Sequence, residues 1–383
     1  MKIAYVFSTL AKNGGTERMI TEKANYFADK FGYEVTIINI FQPEEEINRY
    51  LLSEKVKQIN LGIPYYFQYN YKYPKILGVK WQINKQIKRA IKQYVQKVDP
   101  DILIAISFFK ANLICTVNCR AKKVIECHEA KPFTHSNFSR KQIIISKIYK
   151  KIWRFFYFRT IEQNADAIFT LTEEDKKLWK KAKYIEVIPN FSSMTITKYS
   201  DCSSKRVIAV GRLEWEKGFD RLIEAWSIVF SRHNDWHLDI FGEGSMYDTL
   251  INLAHLFKAK NITIHPVTSN ISQEYANSSI CVVSSYFEGF SLVLLEAMRH
   301  GVPCIAYDCP FGPRNIISDA YNGFLVENGD TRLFAERICR LIEDEKLRNY
   351  FSKTSIEKAN TYNKEIIMNK WKKIFEQITL QQI

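Results

Sequence analysis

Residues 280–301 read ICVVSSYFEGFSLVLLEAMRHG, and the folding of this stretch decides the architecture. ICVVSSY is a short apolar run of strand type, Glu288-Gly289-Phe290 a turn, and Leu294, Leu295 and Met298 form one helical stripe beyond the turn. Ser291 stands where a helix N-cap is expected, and the N–H groups at a helix start are available to ligand oxygens. Glu288 and Glu296 frame an interval with a single polar side chain. Taken separately they are a turn residue and a solvent-facing helix residue. Taken together, they are two carboxylates able to accept hydrogen bonds from the hydroxyls of one extended ligand.

Strand-turn-helix order recurs on both sides of this segment. The first half offers KIAYVFS, EVTIINI, DILIAIS, KKVIEC, AIFTLT and IEVIPN as strands, with helices near residues 16–30, 82–98 and 140–165. The second half restarts at RVIAVG, followed by a helix near 219–232, then LDIFG, ITIH, ICVVS, PCIAY and GFLVE. Alternation of this kind means parallel sheets covered by helices, an α/β class. With 383 residues, the chain exceeds the size at which one core keeps growing. Two doubly wound, Rossmann-like domains are expected, at 1–190 and 206–363, facing across a cleft and joined by a Ser/Thr-rich linker at 191–205.

Charge divides unevenly between the halves. Residues 1–190 hold 33 Lys+Arg against 18 Asp+Glu, and the remainder 22 against 23, so the net charge of +14 belongs to the first half. Residues 55–98 contain ten basic side chains and no acid, and residues 130–161 eight and none. The second cluster predicts an amphipathic helix, with Ile145, Ile148, Tyr149, Ile152 and Phe156 on one face and Lys147, Lys150, Lys151 and Arg154 on the other. Such a helix suits an anionic membrane surface, its aromatic residues near the headgroups. The absence of a recognisable DNA- or RNA-binding motif argues against nucleic acid as the partner. With no run of eighteen apolar residues and no basic n-region or cleavage site at MKIAYVFSTL, the chain is expected in the cytoplasm, peripheral to the inner face of the cell membrane. The eight cysteines have no CxxC or histidine partner at metal-ligand spacing and read as reduced structural thiols.

Ligands of doubly wound sheets bind beyond the carboxyl ends of the strands. The first strand is followed by TLAKNGGTER, where Gly14 and Gly15 allow main-chain N–H groups to approach an anion at the start of a helix. KKVIEC is followed by His128 and Glu129. RVIAV is followed by GRLEWEKGFD, in which Arg212 and Lys217 supply two permanent cations suited to a diphosphate.

Together these residues resemble the retaining glycosyltransferases of family 4: a Glu pair at E-x7-E spacing opened by EGFS, a GR-x4-KG loop after a strand, and an amino-terminal GG-x-ER loop. The resemblance extends from Lys2 to about Asn363. It implies a GT-B fold, the acceptor on the first domain and a nucleotide-sugar on the second, with the final helix, about 364–383, crossing back. Carried over by position, it assigns Glu296 to the ribose hydroxyls and Glu288 to the donor sugar, aided by the N–H groups of Gly289, Phe290 and Ser291. Arg212 and Lys217 would hold the diphosphate, the Gly14-Gly15 loop would approach the donor, and His128 would lie close to the transferred sugar. The implied reaction moves a hexose or N-acetylhexosamine, with retention, from a nucleotide diphosphate sugar such as a UDP-sugar to a lipid-linked or polysaccharide acceptor in envelope glycan synthesis. No cofactor or metal is expected, since the two cations can serve the leaving group.

Three positions depart from the family pattern. Glu129 stands where Asp often follows the histidine, Ser291 where EGFG often closes, and Asn315 in FGPRNII where hexose and N-acetylhexosamine transferases carry an acid; the donor sugar is left open. A nicotinamide or flavin oxidoreductase would need GxGxxG after a strand and an acid about twenty residues later, which NGGTER does not provide. An epimerase or phosphorylase shares the fold. So does a non-catalytic sugar-nucleotide binder or membrane scaffold, which would retain the same binding residues.

Overall fold

The computed structural model describes residues 1–12, 14–70, 75–107, 110–131 and 144–380, with backbone alone at 67–69 and 144–151. The chain forms two units, Met1–Ile188 with Met368–Ile383, and Pro189–Ile367.

In the first unit the strands are β1 (Lys2–Phe7), β2 (Glu34–Asn39), β3 (Val56–Asn60), β4 (Ile102–Ile106), β5 (Lys122–Glu126), β6 (Ala167–Thr170) and β7 (Ile185–Val187), in the order β3-β2-β1-β4-β5-β6-β7. In the second they are β8 (Arg206–Val210), β9 (His237–Phe241), β10 (Ile262–His265), β11 (Ile280–Val283), β12 (Cys304–Tyr307) and β13 (Gly323–Val326), in the order β10-β9-β8-β11-β12-β13. All the strand pairings are parallel. Each sheet therefore starts in its middle, winds to one edge, and returns to build the other side. The winding reverses between β1 and β4 and between β8 and β11, and such switch points are where open parallel sheets receive ligands.

Helices cover both faces, so central strands such as β4 and β11 are buried at every residue and read as unbroken apolar runs. Helix Phe219–Arg232 illustrates how the covering is encoded. Its Phe219, Leu222, Ile223, Trp226 and Val229 share one face and enter the core formed by Val207, Leu238, Ile240 and Phe334. Trp226 is fully buried, and its indole N–H donates to the Lys260 carbonyl at 2.9 Å.

Strand β3 and the expected linker depart from the sequence reading, whereas the last helix and the cysteines follow it. Strand β3, VKQIN, has four of five residues exposed; an edge strand that buries only Val56 has no apolar alternation by which to be recognised. The segment expected as a linker, 191–205, belongs to the second unit. Phe191, Ser192 and Cys202 are buried, Ser200 Oγ donates to the Ser278 carbonyl at 2.6 Å, and Arg348 Nε donates to the Cys202 carbonyl at 3.2 Å. Ser200 and Ser204 bind main-chain groups of their own unit, whereas Thr195, Thr197 and Ser203 are exposed. The last helix, Lys364–Thr379, lies in the first unit from Met368 onward. There Trp371 and Phe375 pack edge-on to Phe169 of β6, with centroids 4.6 and 6.2 Å away. All eight cysteines are free thiols, seven of them buried.

Candidate functional site

Three loops at successive strand ends of the second unit build the site. After β8, residues 211–217 run through a 3-10 turn, Trp215–Lys217, to Gly218, which has φ +63° and starts helix Phe219–Arg232. A Cβ on Gly218 would lie 2.1 Å from the Ser284 carbonyl oxygen. Only glycine permits both that backbone angle and that approach. The loop is thereby seated on the end of β11, where Ser284 Oγ donates to the Lys217 carbonyl at 3.0 Å and the Tyr286 N–H to the Glu216 carbonyl at 2.9 Å. Trp215 stacks on Tyr286 with centroids 4.7 Å apart.

The seating brings together residues 71 apart in sequence. Lys217 Nζ lies 2.8 Å from Glu288 Oε1, which also accepts from Ser285 Oγ at 2.6 Å. Glu288 is 9% exposed, so Lys217 and Ser285 compensate most of what its carboxylate loses on leaving water. Arg212 is more exposed and pairs with Glu216 at 2.6 Å. After β12, Phe311 and Gly312 both take positive φ; a Cβ on Gly312 would lie 3.1 Å from Glu288 Cβ and 3.5 Å from the Ser291 nitrogen. The third loop is thus laid against the turn carrying Glu288.

On that turn the N–H groups of Gly289, Phe290 and Ser291 donate to no acceptor among the described residues. Ser291 precedes helix Leu292–Arg299 as expected, but its side chain does not cap the helix; its Oγ is buried with no hydrogen-bond partner among the described residues. Unsatisfied buried polar groups are uncommon and call for an explanation. Here three consecutive N–H groups and one buried hydroxyl lack partners among the described residues, beside a switch point of the sheet. Burial, with Glu288 next, pushes the neighbouring Cys309 thiol up to about 12.

Glu296 is not a solvent-facing helix residue. It is 6% exposed and accepts from Tyr275 Oη at 3.3 Å, and burial together with the Glu296 charge raises the Tyr275 phenol well above its ordinary value. The underlying His300 is also buried, with Nδ1 2.8 Å from the Glu296 carbonyl and Nε2 2.7 Å from Ser272 Oγ. The apolar stripe leaves out these polar partners, and nothing at the level of spacing foretells them.

Family models match nearly the whole chain in two pieces, Glycosyltransferase Family 4 over residues 13–192 and Glycosyl transferases group 1 over residues 200–358. The chain is a family 4 glycosyltransferase. An uncharacterized glycosyltransferase of Haemophilus influenzae is 29% identical over 97% of this chain and 99% of its own length. The amylovoran biosynthesis glycosyltransferase AmsD of Erwinia amylovora is 26% identical, with the same coverage. Among solved structures, Staphylococcus aureus TarM, in complex with fondaparinux, alpha-GlcNAc-glycerol and UDP, superposes with a TM-score of 0.78 over 98% of this chain and 99% of its own, at 18% identity. Both units thus have the Rossmann-like sheets of the GT-B fold.

The glycosyltransferase's remaining expected residues lie in the first unit. Gly14 precedes helix Gly15–Asp29 with extended backbone, φ −148°, so no left-handed angle calls for glycine there, and the one close neighbour is the end of a flexible side chain. A Cβ would lie 2.3 Å from Glu17 Oε2, because the Glu17 carboxylate folds back onto the loop. His128 follows β5, and its Nε2 is 2.7 Å from Glu126 Oε1.

The predicted amphipathic helix is present as Ile144–Asn164, but its faces are reassigned. Tyr157, Phe158 and Ile161 enter the core, while Ile152, Phe155 and Phe156 are 51, 58 and 61% exposed. Arg154 is not on a free basic face: it donates to the Lys131 carbonyl at 3.1 Å. The side chains of Lys147, Lys150 and Lys151 lie outside the described residues.

Arg221 was missed by sequence reasoning. It is 6% exposed and donates from Nε to the Ser284 carbonyl at 2.6 Å, from Nη1 to Asn328 Oδ1 at 2.7 Å, and from Nη2 to the Ser285 carbonyl. The Tyr286 and Tyr307 rings lie 4.2 and 3.9 Å from its guanidinium carbon. The available signal was a lone arginine within the apolar arc of a helix, next to Leu222. Arg221→Met is expected to lower the unfolding free energy of the Pro189–Ile367 unit by about 3 kcal/mol, since the freed carbonyls stay buried. Arg221→Lys should recover little of it, because an ammonium cannot fork between two carbonyls. Urea denaturation measures both.

Proposed function

We propose that the chain transfers a hexose or N-acetylhexosamine, with retention of configuration, from a UDP-sugar to a lipid-linked or polysaccharide acceptor at the cytoplasmic face of the membrane. The observation that carries the reading is the Lys217–Glu288 pair on a turn whose three N–H groups and Ser291 hydroxyl are unpartnered among the described residues. Cation, carboxylate and donors then serve different parts of one ligand. Glu288 accepts from the sugar hydroxyls, the N–H groups of Gly289, Phe290 and Ser291 donate to its oxygens, and Lys217 and Arg212 face the diphosphate. Glu296 accepts from the ribose hydroxyls. The base is assigned to a hollow of about 420 Å³ at the ends of β9 and β10, lined by Leu213, Gly242, Tyr247 and His265 among others. The names of the relatives support an envelope polysaccharide as product and UDP as the nucleotide.

In the reaction the bond from the anomeric carbon to the phosphate oxygen breaks and a bond to the acceptor oxygen forms on the same face. The acceptor's proton passes to the departing phosphate, so no protein base is required. Negative charge accumulates on the leaving diphosphate, where Arg212 and Lys217, in place of a metal, stabilise it most in the transition state. For the first unit the family resemblance assigns main-chain donors to the Gly14-Gly15 loop and a sugar contact to His128.

Membrane attachment is assigned to the exposed aromatic face beside the basic cluster; of the four cations first expected, Arg154 is engaged by the Lys131 carbonyl, and the side chains of Lys147, Lys150 and Lys151 lie outside the described residues. No helix among the described residues is long and apolar enough to cross a membrane. Ile152, Phe155 and Phe156 instead lie on a helix adjoining Lys75–Val98, where Lys80 Nζ is 5.2 Å from the Trp153 ring centroid and Leu77 and Trp81 are also exposed. Apolar side chains flanked by an acid-free basic cluster combine insertion with attraction to anionic lipid.

Labelled UDP-glucose, UDP-galactose and UDP-N-acetylglucosamine, incubated with the protein and a membrane extract, should give labelled lipid-linked or glycan material from at least one donor. UDP binding with no transfer from any donor would favour a binding protein of the same fold. Glu296→Ala should weaken UDP binding by about 1–3 kcal/mol, read by calorimetry; an unchanged dissociation constant contradicts the ribose role. Exchanging Phe155 and Phe156 for Glu should weaken binding to anionic liposomes about tenfold or more, given the ~1.5–3 kcal/mol for each buried phenylalanine. Unaltered co-sedimentation would exclude this face.

A further inference from the structure

We propose that Glu126 and Lys23 are a buried positioning pair for His128, fixing its imidazole as the Nε2–H tautomer so that Nδ1 is the nitrogen left to accept from a sugar hydroxyl. The sugar contact rests on the proposed transferase reading; the positioning itself rests on the first unit alone.

Alternation along the chain leaving β5 sends Glu126 and His128 to one face of the sheet. The face is covered by helix Gly15–Asp29, which brings Lys23. Cys127, between them, has Asp175, Lys131 and Glu129 as its charged neighbours, whereas Glu126 and Lys23 are the charged groups that face His128. Ser107, after β4, receives the His128 N–H at 3.4 Å. Glu126 Oε1 is shared by Lys23 Nζ and His128 Nε2, the latter at 2.7 Å. The side chains of Lys23, Glu126 and His128 are 3, 2 and 2% exposed. Trp371 closes the other side, its ring centroid 5.0 Å from Lys23 Nζ.

Stability does not explain the cluster. A buried ion pair roughly breaks even against apolar replacements, and Glu126 Oε2 has no hydrogen-bond partner among the described residues, which adds cost. What the arrangement achieves is chemical. A carboxylate accepting from Nε2–H fixes ring and tautomer, as carboxylates behind working histidines do. Left alone, that carboxylate would also draw a proton onto the ring. Burial lowers the Lys23 ammonium well below its ordinary value, and its contact with the Glu126 carboxylate is what keeps it charged; so held, Lys23 balances Glu126, and burial, with Lys23 next, holds the imidazole well below its usual protonation range. Nδ1, which has no partner among the described residues, therefore keeps its lone pair at neutral pH.

The test uses the full chain labelled with ¹⁵N-histidine, its seven histidines resolved by long-range ¹H–¹⁵N correlation and His128 assigned with His128→Gln. The wild type should show an Nε2–H tautomer that does not titrate between about pH 5.5 and 8. Lys23→Met removes the opposing cation, so His128 should now protonate within that range. Because the imidazolium has no acceptor nitrogen, kcat should fall as pH falls, with KM for the donor little changed. Lys23→Met/Glu126→Gln, a neutral pair, should restore the flat profile. An Nδ1–H tautomer in the wild type, titration near the ordinary value of about 6.5, or a Lys23→Met protein with unaltered spectrum and pH profile would overturn the proposal. The wild-type spectrum needs only His128→Gln for its assignment and no variant at Lys23 or Glu126. The spectra need no turnover, so they decide the pair's effect on His128 independently of whether transfer is found.

Discussion

The second unit depends on how Arg221 terminates the strand next to the switch point. β11 must end so that the chain can turn outward at Glu288, and a strand that stops inside a covered sheet leaves carbonyls with neither ladder partners nor water. The guanidinium fork takes the carbonyls of Ser284 and Ser285 from below while Gly218 packs against Ser284 from the side. Because the fork is planar and its donors fixed, it sets the direction of the turn as well as satisfying it. The contact of Lys217 with Glu288 is a consequence, since both residues leave from backbone so held.

The same economy governs the charges. Glu288 in the unliganded chain is answered by Lys217 and Ser285, and Glu17 folds its carboxylate back over Gly14 at the start of helix Gly15–Asp29. Glu288 is thereby not left as an uncompensated buried charge.

Much of the fold was legible. β4 and β11 are buried at every residue, so their sequences, ILIAI and ICVV, are unbroken apolar runs, and helices such as Phe219–Arg232 carry clean periodicity. What failed to show was marginal in burial: β3 with only Val56 inside, and residues 191–205, which look like a linker because Ser200 and Ser204 bond main-chain groups that sequence does not display. The helix Ile144–Asn164 was found but turned by part of a revolution. Aromatic residues on nearly every side of it make the stripe ambiguous, and only the neighbouring core, which receives Tyr157, Phe158 and Ile161, selects the face.

By itself the sequence determined the class of fold, the two-unit division, the uneven charge, and the loops that carry Gly14, His128, Arg212, Lys217, Glu288 and Glu296. These are local facts, written in periodicity and spacing. Only the tertiary structure decided that Lys217 meets Glu288, that Glu296 is buried beside Tyr275, that Ser291 caps nothing, and that Lys23 stands behind Glu126 and His128. Each of those joins residues from different elements. The free energy of burying a polar group is set by the partner the fold supplies, which no interval along the chain records.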